Sequence, residues 1–377
     1  MTRTTDRGTA SGADITDILP RPTSRRAVLR SGVAFGLTLP FATPAARVIA
    51  DEGHDAPVAT PAATADEHAE AEDDHGEDHD TEQAAHTEAP DPSGPVQPFT
   101  RYDPWLPSVE AGPKQLDVVA RDATLLVAPG VAVATWAFDG TVPGRALRVV
   151  EGDTVDVTFR VDPAANAHHS LDFRAAKTPP DVSFATINPG EELRWNFTAR
   201  HPGAWMYHCG TPPALLHIGA GMYGAIIVDP KEGWSSAQEL ILVQSEFYLA
   251  DSADGIKVPD AARMERGLEM DYVCFNGHAT QYVDEPITVS AGEPVRIFVV
   301  NAGPNVWSSF HVVGTVFDRA YVNGSPKNQL FDLQSISVAP GDGACVEFTL
   351  DEPGEYPVVN HAFGHTANGA LALLRAE

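Results

Sequence analysis

One order of turn signals and short apolar runs occurs twice in this chain, and that repetition constrains the fold more than any other feature. In the first copy Phe138-Asp139-Gly140 leads to Glu151-Gly152-Asp153, a run alternating in Val and Thr, and then His169. Asn188-Pro189-Gly190, the run Leu193 to Ala199 and Pro202-Gly203 follow, ahead of Tyr207-His208-Cys209. In the second copy Phe275-Asn276-Gly277 leads to Ala291-Gly292-Glu293, the run Val295 to Asn301 and His311. Ala339-Pro340-Gly341, the run Val346 to Leu350 and Pro353-Gly354 then precede Asn360-His361-Ala362. Short runs bounded by Pro-Gly or Gly-Asp turns predict strands, and their regular spacing predicts Greek-key β-sandwiches or barrels. The expected architecture is therefore all-β, with one domain over 112–232 and a second over 233–377. Residues 251–270 read as an excursion between strands that carries a short helix.

What precedes the repeats has a different character. Ser24-Arg25-Arg26-Ala27-Val28-Leu29 and the mild apolar run Val33 to Ala46 resemble a twin-arginine export signal over residues 1–50, with cleavage between Ala45 and Ala50. The run contains Pro40 and is short for a membrane span. An exported protein in the periplasm or cell envelope is expected, with an uncleaved anchor as the alternative. Residues 51–93 hold fifteen Asp or Glu and no Lys or Arg, interspersed with His54, His68, His75, His79 and His86. Such a composition cannot bury a core, and 51–111 is expected to be a disordered linker, read as a solvated spacer or as a copper-collecting tail. The net charge of −27 and the lack of a basic patch argue against nucleic acid as a partner.

The chemistry concentrates in the segment from Tyr207 to Met222. Cys209, His217 and Met222 lie within fourteen residues, and His169 sits on an earlier strand. Two His, one Cys and a weak axial Met are the ligand set of a blue-copper electron-transfer site. His208 and Cys209 are neighbours on a predicted strand, so their side chains point to opposite faces. Ala362 stands where the first copy has Cys209, so the second copy cannot build the same centre. The other cysteines, Cys274 and Cys345, read as buried strand positions for which a disulfide is possible.

These motifs resemble the copper-containing nitrite reductase family, two-domain cupredoxins within the multicopper oxidases. The likeness spans residues 112–377 and rests on Phe138-Asp139-Gly140-Thr141-Val142-Pro143-Gly144, His169-Ser170-Leu171-Asp172-Phe173, Tyr207-His208-Cys209 through Met222-Tyr223-Gly224, Phe310-His311-Val312 and Asn360-His361. The resemblance implies a homotrimer that reduces nitrite to nitric oxide, fed by an external donor such as a small cupredoxin or cytochrome. It implies a type 1 copper on His169, Cys209, His217 and Met222, and a type 2 copper between subunits on His208 and His361. It also implies catalytic roles for Asp172 and His311 as proton relays.

The resemblance breaks at one position. The third type 2 ligand is expected two residues after Asp172, where this chain has Arg174. A guanidinium has no lone pair to give and stays protonated. Three outcomes are open: a weakened site completed by a carboxylate, water, His168 or His365; no second copper, leaving a non-catalytic blue-copper electron carrier; or an oxyanion bound directly by Arg174. A trinuclear oxidase centre is not expected, since the chain has no further His-x-His pairs.

Overall fold

Val155, Val157, Phe159 and Val161 point inward along one strand while the residues between them face outward or lie half-buried, the period-two pattern of a strand on a sandwich face. The computed structural model in which this is seen describes residues 89–183 and 185–377. The expected signal and the acidic stretch as far as residue 88 lie outside the described residues.

The first copy folds as β1 (Lys114–Ala128), β2 (Val131–Phe138), β3 (Leu147–Val150), β4 (Thr154–Val161), β5 (Asp172–Phe173), β6 (Glu192–Thr198), β7 (Gly203–His208) and β8 (Tyr223–Asp229). Helix α1 (Pro180–Ser183) precedes β6, and α2 (Ala214–Gly219) lies between β7 and β8. One sheet contains β2-β1-β4-β6 and the other β3-β8-β7-β5. The second copy folds as β9 (Gln238–Phe247), β10 (Leu249–Asp251), β11 (Lys257–Pro259), β12 (Tyr272–Phe275), β13 (Ile287–Val289), β14 (Pro294–Gly303), β15 (Ser308–Val312), β16 (Phe317–Val322), β17 (Gln329–Leu333), β18 (Ile336–Val338), β19 (Gly343–Thr349), β20 (Gly354–Asn360) and β21 (Leu371–Ala376). Its sheets run β12-β9-β14-β19-β16-β17 and β13-β21-β20-β15-β18. The all-β cupredoxin-like architecture is the one expected.

The pairings repeat along with the motifs. Strand β1 is parallel to β4 as β9 is to β14, and β3 is parallel to β8 as β13 is to β21. The turns repeat to the level of single hydrogen bonds. Asp139 and Asn276 both take positive φ, at 55° and 54°. Each exchanges bonds with the first strand of its copy. The Val119 amide donates to Asp139 Oδ1 and the Val243 amide to Asn276 Oδ1, at 2.9 and 2.7 Å.

Three features depart from the sequence reading. The excursion does contain a short helix, α3 (Ala261–Arg266), but its strands β10 and β11 join the first copy's sheet beside β2. The end of the expected disordered linker is a strap. Tyr102 donates through its hydroxyl to the Gly144 carbonyl and through its amide to Gln281, and Leu106 donates to the Glu239 carbonyl. Cys274 and Cys345 are buried free thiols, on β12 and β19. Two strands lie between them in the sheet, a separation of about 14 Å at ordinary strand spacing, too far for a disulfide.

A buried ion network ties the copies together. Glu239 accepts from Arg148 Nη2 at 2.8 Å and from Arg296 Nη1 at 2.7 Å. Arg148 also binds Asp229, and Arg296 binds Glu347 and Ser235. Arg296 is fully buried. Arg296→Ala removes the buried cation that Glu239 and Glu347 share, leaving Glu239 to Arg148 and Glu347 to Arg319 at 3.6 Å, and is expected to cost about 3 kcal/mol, read as a lowered urea midpoint. A midpoint equal to that of the parent protein would show that the network carries no stability.

Candidate metal centre

Cys209 follows the end of β7. Its amide donates to the Met222 carbonyl, and the Met222 amide donates to the His217 carbonyl, both at 3.1 Å. The loop is thus closed by its own main chain. Helix α2 fills its middle and places His217 in the last turn. Gly221 lets the chain turn back to Met222: its φ is +122°, and a Cβ there would meet the Trp136 carbonyl at 2.9 Å. His169 arrives from the other side, its amide and carbonyl both paired with Ile187.

The ligating atoms of His169, Cys209 and His217 all lie within 4.8 Å of one another. The two Nδ1 atoms are 3.2 Å apart, and Cys209 Sγ is 3.4 Å from His217 Nδ1. All three residues are buried, as is Met222. The buried Nε2 of His169 has no partner, so the ring is held from its Nδ1 side. Burial, helped by His217 and His168, lowers His169 to about 3; burial, helped by His168, lowers His217 to about 4. Both rings are therefore neutral near pH 7 and offer lone pairs. Burial pushes the Cys209 thiol up, against hydrogen bonds from Thr211 and Ser170. A thiol kept protonated by its surroundings ionises when a metal compensates the charge. Two neutral imidazoles and a thiolate in a dry site fit copper.

Two supporting residues were not singled out from sequence. The Ser170 amide donates to Cys209 Sγ at 3.3 Å, and its Oγ accepts from the Gly210 amide at 2.9 Å. The Trp136 ring lies 4.5 Å from the His217 ring and 5.4 Å from that of His169. Trp136 shares the inward face of β2 with Phe138, a period-two signal that was available. Ser170 carries no local pattern beyond its place after His169.

His208 is on the far side of β7 and meets Asp172 and Arg174. Its Nδ1 donates to the Cys209 carbonyl at 2.8 Å, and its Nε2 accepts from Arg174 Nε at 3.1 Å. Asp172 Oδ2 lies 3.4 Å from His208 Nε2 and 3.5 Å from Arg174 Nε. His311 and His361 come together elsewhere, on the second copy, with ring centroids 5.5 Å apart. His311 Nδ1 donates to the Gln334 carbonyl, and the His361 amide donates to the Ser309 carbonyl. Among the described residues, no group of three or more metal-ligating His, Cys, Asp or Glu joins His208 to His361. His365 Nδ1 is engaged by the Asn360 amide group, and His168 is half-buried beside the type 1 cluster.

Fold and centre together define a cupredoxin-type copper protein. The Multicopper oxidase family model matches residues 120–233. The copper-containing nitrite reductase of Neisseria meningitidis is 41% identical over 264 residues, covering 68% of this chain and 67% of that protein. That of Alcaligenes faecalis is 30% identical over 278 residues, covering 67% and 73%. The solved copper nitrite reductase of Nitrosomonas europaea superposes with a TM-score of 0.66 at 36% identity, covering 70% of this chain and 94% of that one. The chain belongs to the copper-containing nitrite reductase family and is a copper oxidoreductase of that type.

Two outcomes follow from the centre. Cys209→Ser is expected to remove the intense thiolate-to-copper absorbance of the holoprotein, and a visible spectrum unchanged by the substitution would exclude Cys209 as a ligand. In metal-free protein, folded His169 and His217 stay neutral to about pH 4, whereas the unfolded chain protonates each near pH 6.5. The unfolded state then binds more protons across that window. Stability is therefore fully present above about pH 6.5 and falls toward pH 4, by up to about 1.4 kcal/mol per pH unit for each His. Urea midpoints of chelator-treated protein across this range check the slope, which His217→Ala is expected to reduce.

Proposed function

We propose that this protein reduces nitrite to nitric oxide with single electrons from an external donor. The observation that carries the reading is the adjacency of Cys209, in the His169–His217 cluster, and His208, beside Asp172. The residues that would hold a type 1 copper are His169, Cys209, His217 and Met222; copper bound there would supply a one-electron store. The peptide from Cys209 to His208, together with the His208 Nδ1–H bond to the Cys209 carbonyl, is the path outward.

The reaction consumes one nitrite, one electron and two protons, breaks one N–O bond, and yields nitric oxide and water. Arg174 offers its guanidinium donors to the planar anion. Asp172 is placed to pass a proton to the departing oxygen. His311 supplies the second proton from the second copy of a neighbouring chain in a homotrimer. The homotrimer is what the family resemblance implies; among the described residues of one chain, Asp172 and His208 form no metal-binding group with His311 and His361. The twin-arginine pattern supports export, so the reaction runs in the periplasm or envelope.

The hydrogen bond from Arg174 to His208 favours a second reading, a blue-copper carrier that passes its electron to a partner protein and does no chemistry of its own. Steady-state nitric oxide formation by the holoprotein, with a chemical reductant and nitrite, separates the two. The first reading expects turnover that Asp172→Asn lowers about 10²- to 10⁴-fold with the type 1 spectrum unchanged. Reduced protein inert to nitrite, yet quick to exchange electrons with small cupredoxins, leaves the carrier.

A further inference from the structure

We infer that the Arg174 guanidinium takes the place of the second copper, so that the loaded protein carries one copper per chain. The argument begins at His208. A carbonyl oxygen only accepts, so the 2.8 Å contact between His208 Nδ1 and the Cys209 carbonyl places the ring proton on Nδ1. The lone pair of the neutral ring is then on Nε2, the atom a metal would take. Arg174 Nε donates to that atom at 3.1 Å. Arg174 therefore supplies no ligand, blocks the one His208 offers, and sets a permanent positive charge where a divalent cation would bind.

The neighbours close off a substitute ligand set. Asp172 Oδ2 is the nearest carboxylate and already sits between His208 Nε2 and Arg174 Nε, at 3.4 and 3.5 Å. The other end of the guanidinium is aimed at the second copy, where a Cβ added to Gly341 would lie 3.9 Å from Arg174 Nη2. The Arg174 amide is fixed too, donating to the Met206 carbonyl on β7. What remains is a small ion-paired cluster. It keeps His208 in the tautomer that bonds the Cys209 carbonyl, and so keeps the outward path from the type 1 centre without a metal at its end.

The inference rests on the assignment of His169, Cys209 and His217 as type 1 ligands and is independent of nitrite turnover. The test is copper per chain and low-temperature EPR on the full-length holoprotein, after dialysis against a chelator to strip copper from the His-containing acidic stretch. One copper with a type 1 signal alone is expected. Arg174→His is expected to add a second copper and a second, wider-hyperfine signal. Arg174→His combined with His208→Ala is expected to lose both additions. An unchanged type 1 absorbance shows that each variant is folded and loaded. Two coppers with a type 2 signal in the parent protein overturn the inference, whatever the activity. So does an Arg174→His protein that stays at one copper, or a second copper that survives loss of His208. One copper without nitric oxide formation sinks the nitrite reading and leaves this inference standing.

Discussion

Trp205, Tyr207 and Cys209 point into the core of the first sandwich, with Phe138, Phe159 and Phe173. Ala204 and Met206, on the opposite side of β7, pack with Phe298, Val300 and Cys345 of the second copy. A strand buried on both sides cannot slip by one residue without moving every side chain to the wrong core. That requirement fixes the register of His208 against Cys209, and with it the separation of the two chemical environments. Glycines let the backbones approach on the second side: a Cβ on Gly343 would lie 2.2 Å from the Ala204 carbonyl oxygen. The joint between the copies and the placement of Cys209 and His208 on opposite sides of one chain segment are therefore one piece of structure.

The two sides of β7 also differ electrically. On the inner side burial removes charge, because His169 and His217 are held neutral and the Cys209 thiol is pushed up. Nothing ionised lines that cluster until a metal arrives, and binding the metal must expel the thiol proton. On the outer side charge is retained, because Arg174 is half-exposed and its partner Asp172 lies beneath it. Water reaches the guanidinium while the imidazole and carboxylate are shielded, so the cation meets a much smaller desolvation penalty than a buried ion would.

Much of this was legible in the sequence because it is local. The Cys209–Met222 loop needs only spacing, and the opposed faces of His208 and Cys209 follow from strand period. The duplicated turns need residues that accept positive φ, and Asp139-Gly140 and Asn276-Gly277 announce themselves. What was not legible depends on pairing over long separations. Residues 96–107 follow the acidic stretch with one Asp, one Arg and three Pro, and their sequence does not mark Tyr102 as a hydrogen-bonding tie between the copies. That β11 joins β2 of the other copy through a single register contact, Lys257 with Val133, has no sequence signature. The distance between Cys274 and Cys345 depends on strand order within a sheet, which the sequence does not specify.

Arg174 belongs to both categories. Its identity and its two-residue offset from Asp172 are plain in the sequence, and the family resemblance implies a lost ligand there. Which atom the guanidinium would engage is not, since pairing with Asp172 alone would have left His208 Nε2 open. The structure puts Nε nearer the imidazole than the carboxylate, 3.1 against 3.5 Å. That preference is geometric. Asp172 faces His208 directly across β5 and β7. Arg174 leaves β5 with its amide bonded to Met206, two residues before His208 on β7. A side chain leaving from there reaches the imidazole edge first and the carboxylate second. An Arg at this position therefore holds the histidine itself, with His208 Nε2 as the acceptor of its hydrogen bond.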